Sequence, residues 1–422
     1  MTPRHVLAAL LAVCIMTIGW SDTEPTSAET EATPSRTSLF PAGPRPDQVV
    51  LSWAGDPRSS VSIQWRSNGP GGQVLYLPAD AVNPFLAPRP PLVARAETTR
   101  IADAGLTNYP FTYWHTARLT KLRPGTRYTY VVGDPQSGCW SAPRTFRTAP
   151  ARTEPFSFLY LGDAQYGFSR WAALLRAAYR HRPDAAFALM AGDLVTRGND
   201  RDDWDDFLTH GSDVLSQLPV VPTIGNHECK GGSPRMYLQT FDLPRGGAPG
   251  LEPERCYTLN YGNVLFVVLD SMSPPDSQTA WLDQALGNSS ARWKFVMFHH
   301  PPYSSREDRD NKELREAWVP VFDKHHVDIV FCGHDHAYMR TYPMRGGQRV
   351  ASPAEGTIYM VSVAGTKMYE QADRDYMEAR FTDTIVYSVI EILPQIAQAP
   401  ERLGLKTFDL DGQLRDEFSI IK

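Results

Sequence analysis

The stretch FSFLYLGDAQYGF, residues 156–168, decides the fold of this chain. Its first six residues are almost entirely apolar, as in a buried β-strand, and Gly162 and Asp163 follow where that strand would end. After it, apolar strands alternate with helical stretches, an order that is typical of layered α/β domains. The sequence predicts strands at 156–161, 185–191, 219–224, 264–269, 294–298, 327–332 and 357–363, and helices near 170–181, 201–217, 278–286 and 312–326.

The region before this stretch, residues 46–150, has a different pattern. Short β-branched and aromatic runs alternate with Gly, Pro and Asn turns and show no helical period, so they predict a β-sandwich. Within it LRPGTRY, residues 122–128, resembles the turn before a late strand of fibronectin type III domains. That resemblance implies that Tyr128 anchors a corner between the sheets and that Trp65 is a core aromatic residue. We expect the sandwich to act mainly as a packed spacer, with shaping of a neighbouring active site as the alternative.

The N-terminus has the order of a secretory signal. Arg4 and His5 precede an apolar run from Val6 to Trp20, and polar residues follow that run. We therefore expect residues 1–21 to be a signal peptide that directs export, with an uncleaved anchor as the alternative. A lipoprotein site at Cys14 is disfavoured because the residue before it is bulky where a small one is needed.

The composition limits the class of protein. The 422 residues are 42% apolar and carry a formal net charge of −5, so ordinary cores can form and no positive field attracts nucleic acid. Residues 22–45 are rich in Ser, Thr, Glu and Pro and predict a flexible linker. Beyond the signal, no stretch approaches the about 18 apolar residues of a membrane helix. Of the four later cysteines, Cys229 and Cys256 are the expected disulfide pair, with four free thiols as the alternative.

Polar side chains follow five of the predicted strands in the second region. They lie in GDAQY (Asp163), GDLVT (Asp193), GNHE (Asn226, His227), FHHPPY (His299, His300) and CGHDH (His334, His336). A single Gly-Asp is usually a turn or a helix cap, but ligands collect at the carboxyl ends of strands, and five such positions favour one shared site. Carboxylates, imidazoles and an amide can hold two metal ions that activate a water and clamp a phosphoryl group. The expected reaction is therefore phosphoester hydrolysis.

The order of these blocks resembles the calcineurin-type metallophosphoesterases and, within them, the purple acid phosphatases. Their pattern of GD, GDxxY, GNH(D/E), VxxH and GHxH is matched in order by the five blocks quoted above. GHDHAYMRT resembles their GHxHAYER, and QVVLSWAGDPRSSVSIQW resembles the N-terminal domain of plant-type members. The resemblance implies a fibronectin type III-like β-sandwich over 46–150. Over 155–422 it implies a four-layer α/β metallophosphoesterase domain, in which helices flank two mixed β-sheets.

The resemblance also implies a role for each polar residue at the strand ends. Asp193 would bridge two metal ions, Asp163 and His336 would bind the first ion, and the second would be bound by Asn226, His299 and His334. His299 is preferred to His300 because His299 begins the family's HxPxY motif. His227 would be catalytic, either contacting the phosphate or protonating the leaving oxygen, a role that suits an imidazole. Iron, zinc and manganese are the candidate metals.

The chain departs from this family at Thr196, which stands in GDLVT where purple acid phosphatases have an iron-binding tyrosine. Gln165 is the favoured substitute, because a residue two after Asp163 lies on the same side of an extended chain and its amide oxygen can bind a metal. Tyr166 points away unless the turn redirects it, and water is the remaining alternative. Without the phenolate we expect a weaker preference for ferric iron and a protein without purple colour.

The loop after the HxPxY block, SSREDRDNKELRE, also departs from the family, since plant-type relatives carry histidines there. Arg306 and His300 are candidate substrate contacts, and for Arg306 a solvated loop charge is the alternative. HECKGGSPRMY, which begins at His227, is expected to line the cleft.

The sequence therefore predicts an exported enzyme that holds two metal ions and hydrolyses small-molecule phosphate monoesters. A phosphodiesterase of the same superfamily and a cell-surface binding protein with a degenerate site are the alternatives. The signal and the fibronectin-like region disfavour an intracellular protein phosphatase. We expect no nucleic-acid partner and no transmembrane helix in the mature chain.

Overall fold

The computed structural model describes residues 35–79, 90–395 and 399–422, and the predicted signal peptide lies outside them. The first part of the chain forms two antiparallel sheets. Their strands are β1 (Asp47–Ser52), β2 (Val61–Ser67), β3 (Gln73–Pro78), β4 (Leu92–Arg95), β5 (Glu97–Ala102), β6 (Phe111–Leu119), β7 (Arg127–Asp134), β8 (Cys139–Trp140) and β9 (Arg144–Arg147). One sheet has the order β1-β2-β6-β5, and the other has the order β4-β3-β7-β8 with β9 also paired to β7. The predicted β-sandwich is confirmed.

Two residues expected in the core of the sandwich take those positions. Trp65 is fully buried, and its ring stacks on that of His115 with the centroids 5.1 Å apart. Tyr128 is buried, and its hydroxyl accepts a hydrogen bond of 2.9 Å from the backbone N–H of Arg123. This bond ties the tyrosine to the turn in front of β7, which is the corner expected from the fibronectin resemblance.

From Phe156 onward the chain forms an α/β domain. Its helices are α1 (Phe168–His181), α2 (Arg201–Leu215), α3 (Arg235–Thr240), α4 (Asp276–Gly287) and α5 (Lys312–His325). Its strands are β10 (Phe156–Leu161), β11 (Ala188–Met190), β12 (Val220–Pro222), β13 (Tyr257–Tyr261), β14 (Val264–Val268), β15 (Trp293–Met297), β16 (Ile329–Cys332), β17 (Tyr338–Thr341), β18 (Met344–Arg345), β19 (Gln348–Arg349), β20 (Ile358–Val361), β21 (Met377–Phe381), β22 (Val386–Leu393), β23 (Arg402–Asp409) and β24 (Leu414–Ile421). Every predicted element of this region is present, with ends that shift by at most three residues.

The strands of this domain form two mixed sheets. The six-stranded sheet has the order β12-β11-β10-β22-β23-β24, in which β10 to β12 are parallel and β22 to β24 are antiparallel additions. The seven-stranded sheet has the order β13-β14-β15-β16-β20-β17-β21 and is parallel from β14 to β20.

The two sheets pack face to face through aromatic side chains. Phe158 of β10 lies 5.3 Å from Phe266 and 5.9 Å from Phe295, measured between ring centroids. α1 and α2 cover the six-stranded sheet, while α4 and α5 bury Leu282 and Trp318 against the other side of the seven-stranded sheet. The predicted four-layer fold is confirmed.

The sandwich is joined to the α/β domain by polar contacts to two buried aspartates. Arg118 of β6 donates to both carboxylate oxygens of Asp242 at 2.7 Å, and the hydroxyl of Ser62 adds a bond of 2.6 Å. Arg66 lies 2.7 Å from the carboxylate of Asp205 in α2, and both side chains are buried. The aspartate charges buried at this interface are therefore paired with arginines of the sandwich, as buried charges need to be.

The described part of the predicted linker is held in place. Arg36 lies 2.6 Å from the carboxylate of Asp103 in the sandwich and 2.5 Å from that of Asp202 in α2. Ser38 and Ala42 are also buried. The chain therefore contacts both domains before β1 begins, whereas residues 22–34 lie outside the described part. None of the described helices has both the length and the apolar character of a membrane span.

The disulfide expected between Cys229 and Cys256 is wrong, because both are free thiols in this structure. Cys256 is buried, and its sulfur accepts a hydrogen bond of 3.0 Å from the backbone N–H of Ala248. Burial raises the pKa of the Cys229 thiol to about 12. Burial raises the pKa of the Cys256 thiol as well, so burial favours the protonated form of both thiols.

Candidate metal centre

Strand ends from both sheets of the α/β domain meet at one place. Three of the predicted ligands follow strands of the six-stranded sheet, namely Asp163 after β10, Asp193 after β11 and Asn226 after β12. The other three follow strands of the seven-stranded sheet, namely His299 after β15 and His334 and His336 after β16. The centre thus lies at the junction of the two carboxyl edges, where ligands of layered α/β proteins are found.

The loops hold these side chains in backbone conformations that most residues avoid. The φ angle is +51° at Asp193, +74° at His334 and +48° at His336. A left-handed conformation costs a residue with a side chain about 1–3 kcal/mol and persists only where the surroundings fix it, often at functional sites. Two glycines allow the loops to approach: a Cβ at Gly333 would lie 2.8 Å from Asp163 Oδ2, and one at Gly225 would collide with Asp193 Oδ1.

Asp163, Gln165, Asp193 and His336 form a group that we call the acidic half-site. Ligand atoms of the two carboxylates and of His336 lie within 4.8 Å of one another and could hold a metal ion. His336 Nδ1 donates to the carbonyl oxygen of Lys367 at 2.9 Å, which leaves Nε2 for the centre. The Gln165 amide nitrogen lies 2.9 Å from Asp193 Oδ2 and 3.1 Å from His336 Nε2. Its buried Oε1 has no hydrogen-bond partner among the described residues.

Asn226, His299, His300 and His334 form a second group, the imidazole half-site. One ring nitrogen of each histidine lies within 4.8 Å of the others. His299 Nδ1 donates to the carbonyl oxygen of Ala191 at 2.8 Å, and its Nε2 lies 3.2 Å from both Asn226 Oδ1 and His334 Nδ1. The two half-sites touch, since His299 Nε2 also lies 3.2 Å from Asp193 Oδ2. Asp193 therefore lies between the two groups.

His227 lies at the edge of the centre, outside both half-sites. Its backbone N–H donates to Asp193 Oδ1 at 2.7 Å, and its Nδ1 lies 2.6 Å from the carbonyl oxygen of Thr196. Thr196, which stands where the family resemblance implied a tyrosine ligand, thus supplies a backbone acceptor for the ring. The ammonium group of Lys230 lies 2.8 and 2.9 Å from the two ring nitrogens of His227.

Burial and close charges shift the pKa values of groups in both half-sites, upward for some groups and downward for others. Burial raises the pKa of Asp163 to about 8, and the charge of Asp193 acts in the same direction. Burial alone would raise the pKa of Asp193 and lower that of His299, but their mutual attraction brings the first to about 2 and the second to about 9. Burial lowers the pKa values of the remaining histidines, to about 3 for His300, to about 4 for His336, and also for His334 and His227.

Two family models match the chain in agreement with this geometry. The model for calcineurin-like phosphoesterases matches residues 156–338, and the model for the N-terminal domain of purple acid phosphatases matches residues 46–148. Together they cover well over half of the chain. The chain belongs to the purple acid phosphatase-like metallophosphoesterases.

Individual relatives of this metallophosphoesterase support the assignment. Probable purple acid phosphatase 20 of Arabidopsis thaliana is 29% identical over 237 residues, covering 52% of this chain and 53% of its own. Acid phosphatase type 7 of Mus musculus is 27% identical over 336 residues, which cover 71% of each chain. The chain spans about half the length of several curated relatives that it matches. The structure of purple acid phosphatase PPD1 from yellow lupin seeds shares the fold, with a TM-score of 0.75 at 19% identity over 89% of this chain and 74% of that one.

The metallophosphoesterase brings together all six ligands predicted from its sequence, with Gln165 and His300 beside them. Arg306 is not among them: its guanidinium group forms two 2.8 Å hydrogen bonds to Asp308 and lies 4.2 Å from the ring centroid of Tyr369. His300 Nδ1 is 2.9 Å from the hydroxyl of Ser271. Arg306 was predicted to contact substrate, but its charge is already neutralised by Asp308, two residues away.

Tyr166 is redirected by the turn that contains it. Its φ angle is +62°, and that of Gly167 is +109°. The Tyr166 ring consequently lies 5.9 Å from that of His227 and 6.5 Å from that of His336, so it lines the cleft instead of pointing away. The alternation of an extended chain does not apply beyond Gln165.

Two buried carboxylates that position the ligand loops were missed in the sequence. Glu228 accepts hydrogen bonds of 2.8–3.3 Å from the backbone N–H groups of Asp193, Leu194, Val195 and Gly225, and so ties two ligand loops together. Asp335 accepts bonds from Ser304, Ser305 and Arg309 and fixes the loop opposite. The signal was present, since each acid adjoins a predicted ligand in GNHE or GHDH.

Proposed function

We propose that this metallophosphoesterase is an exported enzyme that hydrolyses small phosphate monoesters, with one metal ion in each half-site. One observation carries the proposal. Asp193 Oδ2 lies 3.2 Å from His299 Nε2, so a carboxylate of one group of three metal-binding side chains directly contacts the other group of three. Two metal ions bound there would supply an activated water and neutralise the phosphoryl oxygens.

The donor set supports iron, zinc or manganese as the bound metals. Both half-sites offer only carboxylate, imidazole and amide donors, and no thiolate of a described residue belongs to either group. The buried Gln165 Oε1, which has no partner among the described residues, favours Gln165 as a ligand, since rotating the amide would bring this oxygen to Asp193 and His336. Because no phenolate takes part, we expect the iron-loaded protein to lack an intense visible absorption band.

His227 would act on the substrate. Its Nδ1 is held by the carbonyl oxygen of Thr196, so Nε2, which the Lys230 ammonium group contacts at 2.9 Å, would bind a phosphate oxygen or protonate the leaving oxygen. Glu228 supports this role because it fixes the loop from which His227 projects. His300, beside His334 with the ring centroids 4.1 Å apart, is the second candidate contact for the phosphate.

Export and the choice of a monoester rest on other observations. The order of charged, apolar and polar residues over 1–21 supports a signal peptide. The related proteins named as acid phosphatases support a phosphomonoester as substrate. Finding Met1 at the N-terminus of protein purified from a soluble cellular fraction would argue against export.

Metal analysis combined with two substrates tests the activity. We expect about two metal ions per chain, faster hydrolysis of para-nitrophenyl phosphate than of bis-para-nitrophenyl phosphate, and loss of both activities on chelation. Re-addition of metal should restore them. A metal-loaded protein that hydrolyses neither ester from acid to alkaline pH would overturn the proposal in favour of a binding protein, and a faster diester reaction would reassign the substrate.

A further inference from the structure

A cavity of about 780 Å³ opens between the sandwich and the α/β domain, beside the His227 edge of the metal centre. Its α/β wall comes from residues within 197–201 and 230–236, and the sandwich contributes 101–104. These two α/β segments continue the loops that carry Asp193 and Asn226. The cavity and the metal centre therefore share the same loops.

The lining of this cavity is basic. Five of its side chains are cationic and two are anionic: Arg36, Arg197, Arg201, Lys230 and Arg235 against Asp103 and Asp200. Arg36 and Arg197 already pair with aspartates at 2.6–2.8 Å. Lys230 and Arg235 are exposed and form no ion pair with any residue that the structure describes. No acid therefore neutralises the charge of either cation, although the Lys230 ammonium group also contacts the ring of His227.

Lys230 links the cavity to the catalytic edge. Its ammonium group lies within 2.9 Å of both ring nitrogens of His227, while Asn199 Nδ2 donates to its carbonyl oxygen at 3.2 Å. A group bound by Lys230 would thus be adjacent to a group bound by His227. The cationic side chain would contact both parts of one ligand.

Unsatisfied polar atoms lie in the same wall. Arg201 is only 3% exposed, and its Nε and Nη2 have no hydrogen-bond partner among the described residues, although Nε is 3.4 Å from the carboxylate of Asp205. The buried Asn199 Oδ1 likewise has no hydrogen-bond partner among the described residues. Buried donors without partners are costly, so the arginine favours an anion or an ordered water in this cavity.

The opposite edge of the cleft does not offer the same charge. There Arg306 is bound to Asp308, and the ammonium group of Lys367 lies over the rings of Tyr166 and Tyr369, at 4.7 and 4.9 Å from their centroids. Those cations are engaged by an acid or by aromatic faces. Of the two edges of the cleft, only the His227 edge combines an open cavity with cations that pair with no acid among the described residues.

We propose that this cavity binds a second phosphate of the substrate, so that the preferred substrates are compounds with two phosphates. The inference rests on the proposed function, since the metal centre must receive the phosphate that is cleaved. Lys230 and Arg235 bind the other phosphate, and the volume lies within the range of small-molecule ligand sites. Phosphate fits better than a carboxylate because it carries more charge and three oxygens for several cations.

Kinetics on a matched pair of substrates test this inference. For the metal-loaded wild-type protein we expect kcat/KM for fructose 1,6-bisphosphate to exceed that for fructose 6-phosphate by about tenfold, mainly through KM. Arg235→Gln and Lys230→Gln should each lower this ratio several-fold, whereas Lys230→Arg should preserve it. Arg95→Gln, which changes an exposed arginine of β4 outside the cavity lining, is the matched control and should leave the ratio unchanged.

The outcomes separate this inference from the proposed function. If neither fructose phosphate nor para-nitrophenyl phosphate is hydrolysed, the proposed function fails. If the monophosphates are hydrolysed but the bisphosphate has no advantage, or if the Arg235 and Lys230 variants keep the wild-type ratio, the cavity is not a phosphate subsite.

Discussion

The two half-sites of the metal centre contain different kinds of side chain. The acidic half-site buries two carboxylates with one imidazole and one amide, whereas the imidazole half-site combines one buried imidazole with two half-buried imidazoles and one half-buried amide. Burial consequently raises the pKa of Asp163 to about 8 and lowers that of His300 to about 3. Buried carboxylates require a proton or a cation, while buried imidazoles are stable in their neutral form. The acidic half-site therefore depends on its metal ion more than the imidazole half-site does.

Asp193 contacts residues of both half-sites, although its carboxylate is part of the acidic half-site. One oxygen faces Gln165 and His299, at 2.9 and 3.2 Å, and the other accepts the backbone N–H of His227. The protonated His299 keeps this carboxylate ionised in the metal-free state, with a pKa of about 2. One residue thus connects the two half-sites, and replacing it should affect metal binding in both.

Asp193→Asn should have the largest effect. The amide retains an acceptor for the His227 N–H but loses the negative charge between the two half-sites. We expect hydrolysis of para-nitrophenyl phosphate to fall to the buffer background and bound metal to fall from two ions to one or none. Metal analysis and initial rates measure both quantities.

The matched control is Asp213→Asn, which removes a half-exposed carboxylate of α2 that pairs with Arg176. It should keep full metal content and activity. If the Asp193 variant instead retained two ions and activity within tenfold of the wild type, the bridging position would be wrong.

The pH dependence of stability in the metal-free protein should show the next largest effect. Asp163 has a pKa of about 8 in the folded protein against an ordinary 3.8, so the folded state keeps a proton that the unfolded state has lost. The pKa of His299 is raised from 6.5 to about 9, so above pH 6.5 this histidine also keeps a proton in the folded state that it loses on unfolding. Between pH 6.5 and 8 the free energy of unfolding should therefore fall as pH rises, by up to about 1.4 kcal/mol per pH unit for each group.

Below pH 6.5 the histidines of lowered pKa oppose this trend, which is why the window begins there. His300 and His336 stay neutral when folded, so the unfolded state binds more protons and stability from these groups rises with pH up to 6.5. Urea unfolding at pH 6.5 and 8 after chelation measures the fall, and saturating zinc should abolish it. Asp163→Asn should reduce the fall, and His300→Asn should not. A metal-free protein that gains stability from pH 6.5 to 8 would contradict the comparison.

The ligand positions could be predicted because each follows an apolar strand whose end is marked by a local signal. Asp163, Asp193 and Asn226 come after Gly at the ends of buried runs, and the parallel strands bring those ends to one edge. The packed core of the α/β domain was equally legible, since Phe158 and its neighbours lie in strands that are buried on both faces. These features depend on residues close in the chain.

The features that the sequence did not reveal depend on partners far apart in the chain. β22 pairs with β10, and β23 and β24 extend that antiparallel edge. These three strands are not separated by helices, so strand–helix alternation did not predict them. The contact of Lys230 with His227 and the pairing of Arg306 with Asp308 depend on loop conformations. The position of Tyr166 depends on a left-handed turn that overrides the alternation of an extended strand, which is the exception that the sequence left open.

Substitutions at Gln165 should have the smallest effect and sharpen the comparison within the acidic half-site. Gln165→Met keeps the side-chain length and removes the amide, so we expect the affinity of one of the two ions to fall about 10–100-fold. Gln165→His should raise that affinity, because imidazole is the stronger ligand for these metals. Competition with a calibrated chelator measures the two affinities separately from activity.

Tyr166→Phe is the matched control, since it removes the phenol and keeps the ring that lies 5.9 Å from His227. It should change neither metal affinity nor the visible spectrum of the iron-loaded protein. A visible band that disappears in this variant would make Tyr166 the ligand that replaces the missing tyrosine. Unchanged affinity in Gln165→Met would instead assign that position to water, and the acidic half-site would then hold its ion with two carboxylates and one imidazole alone.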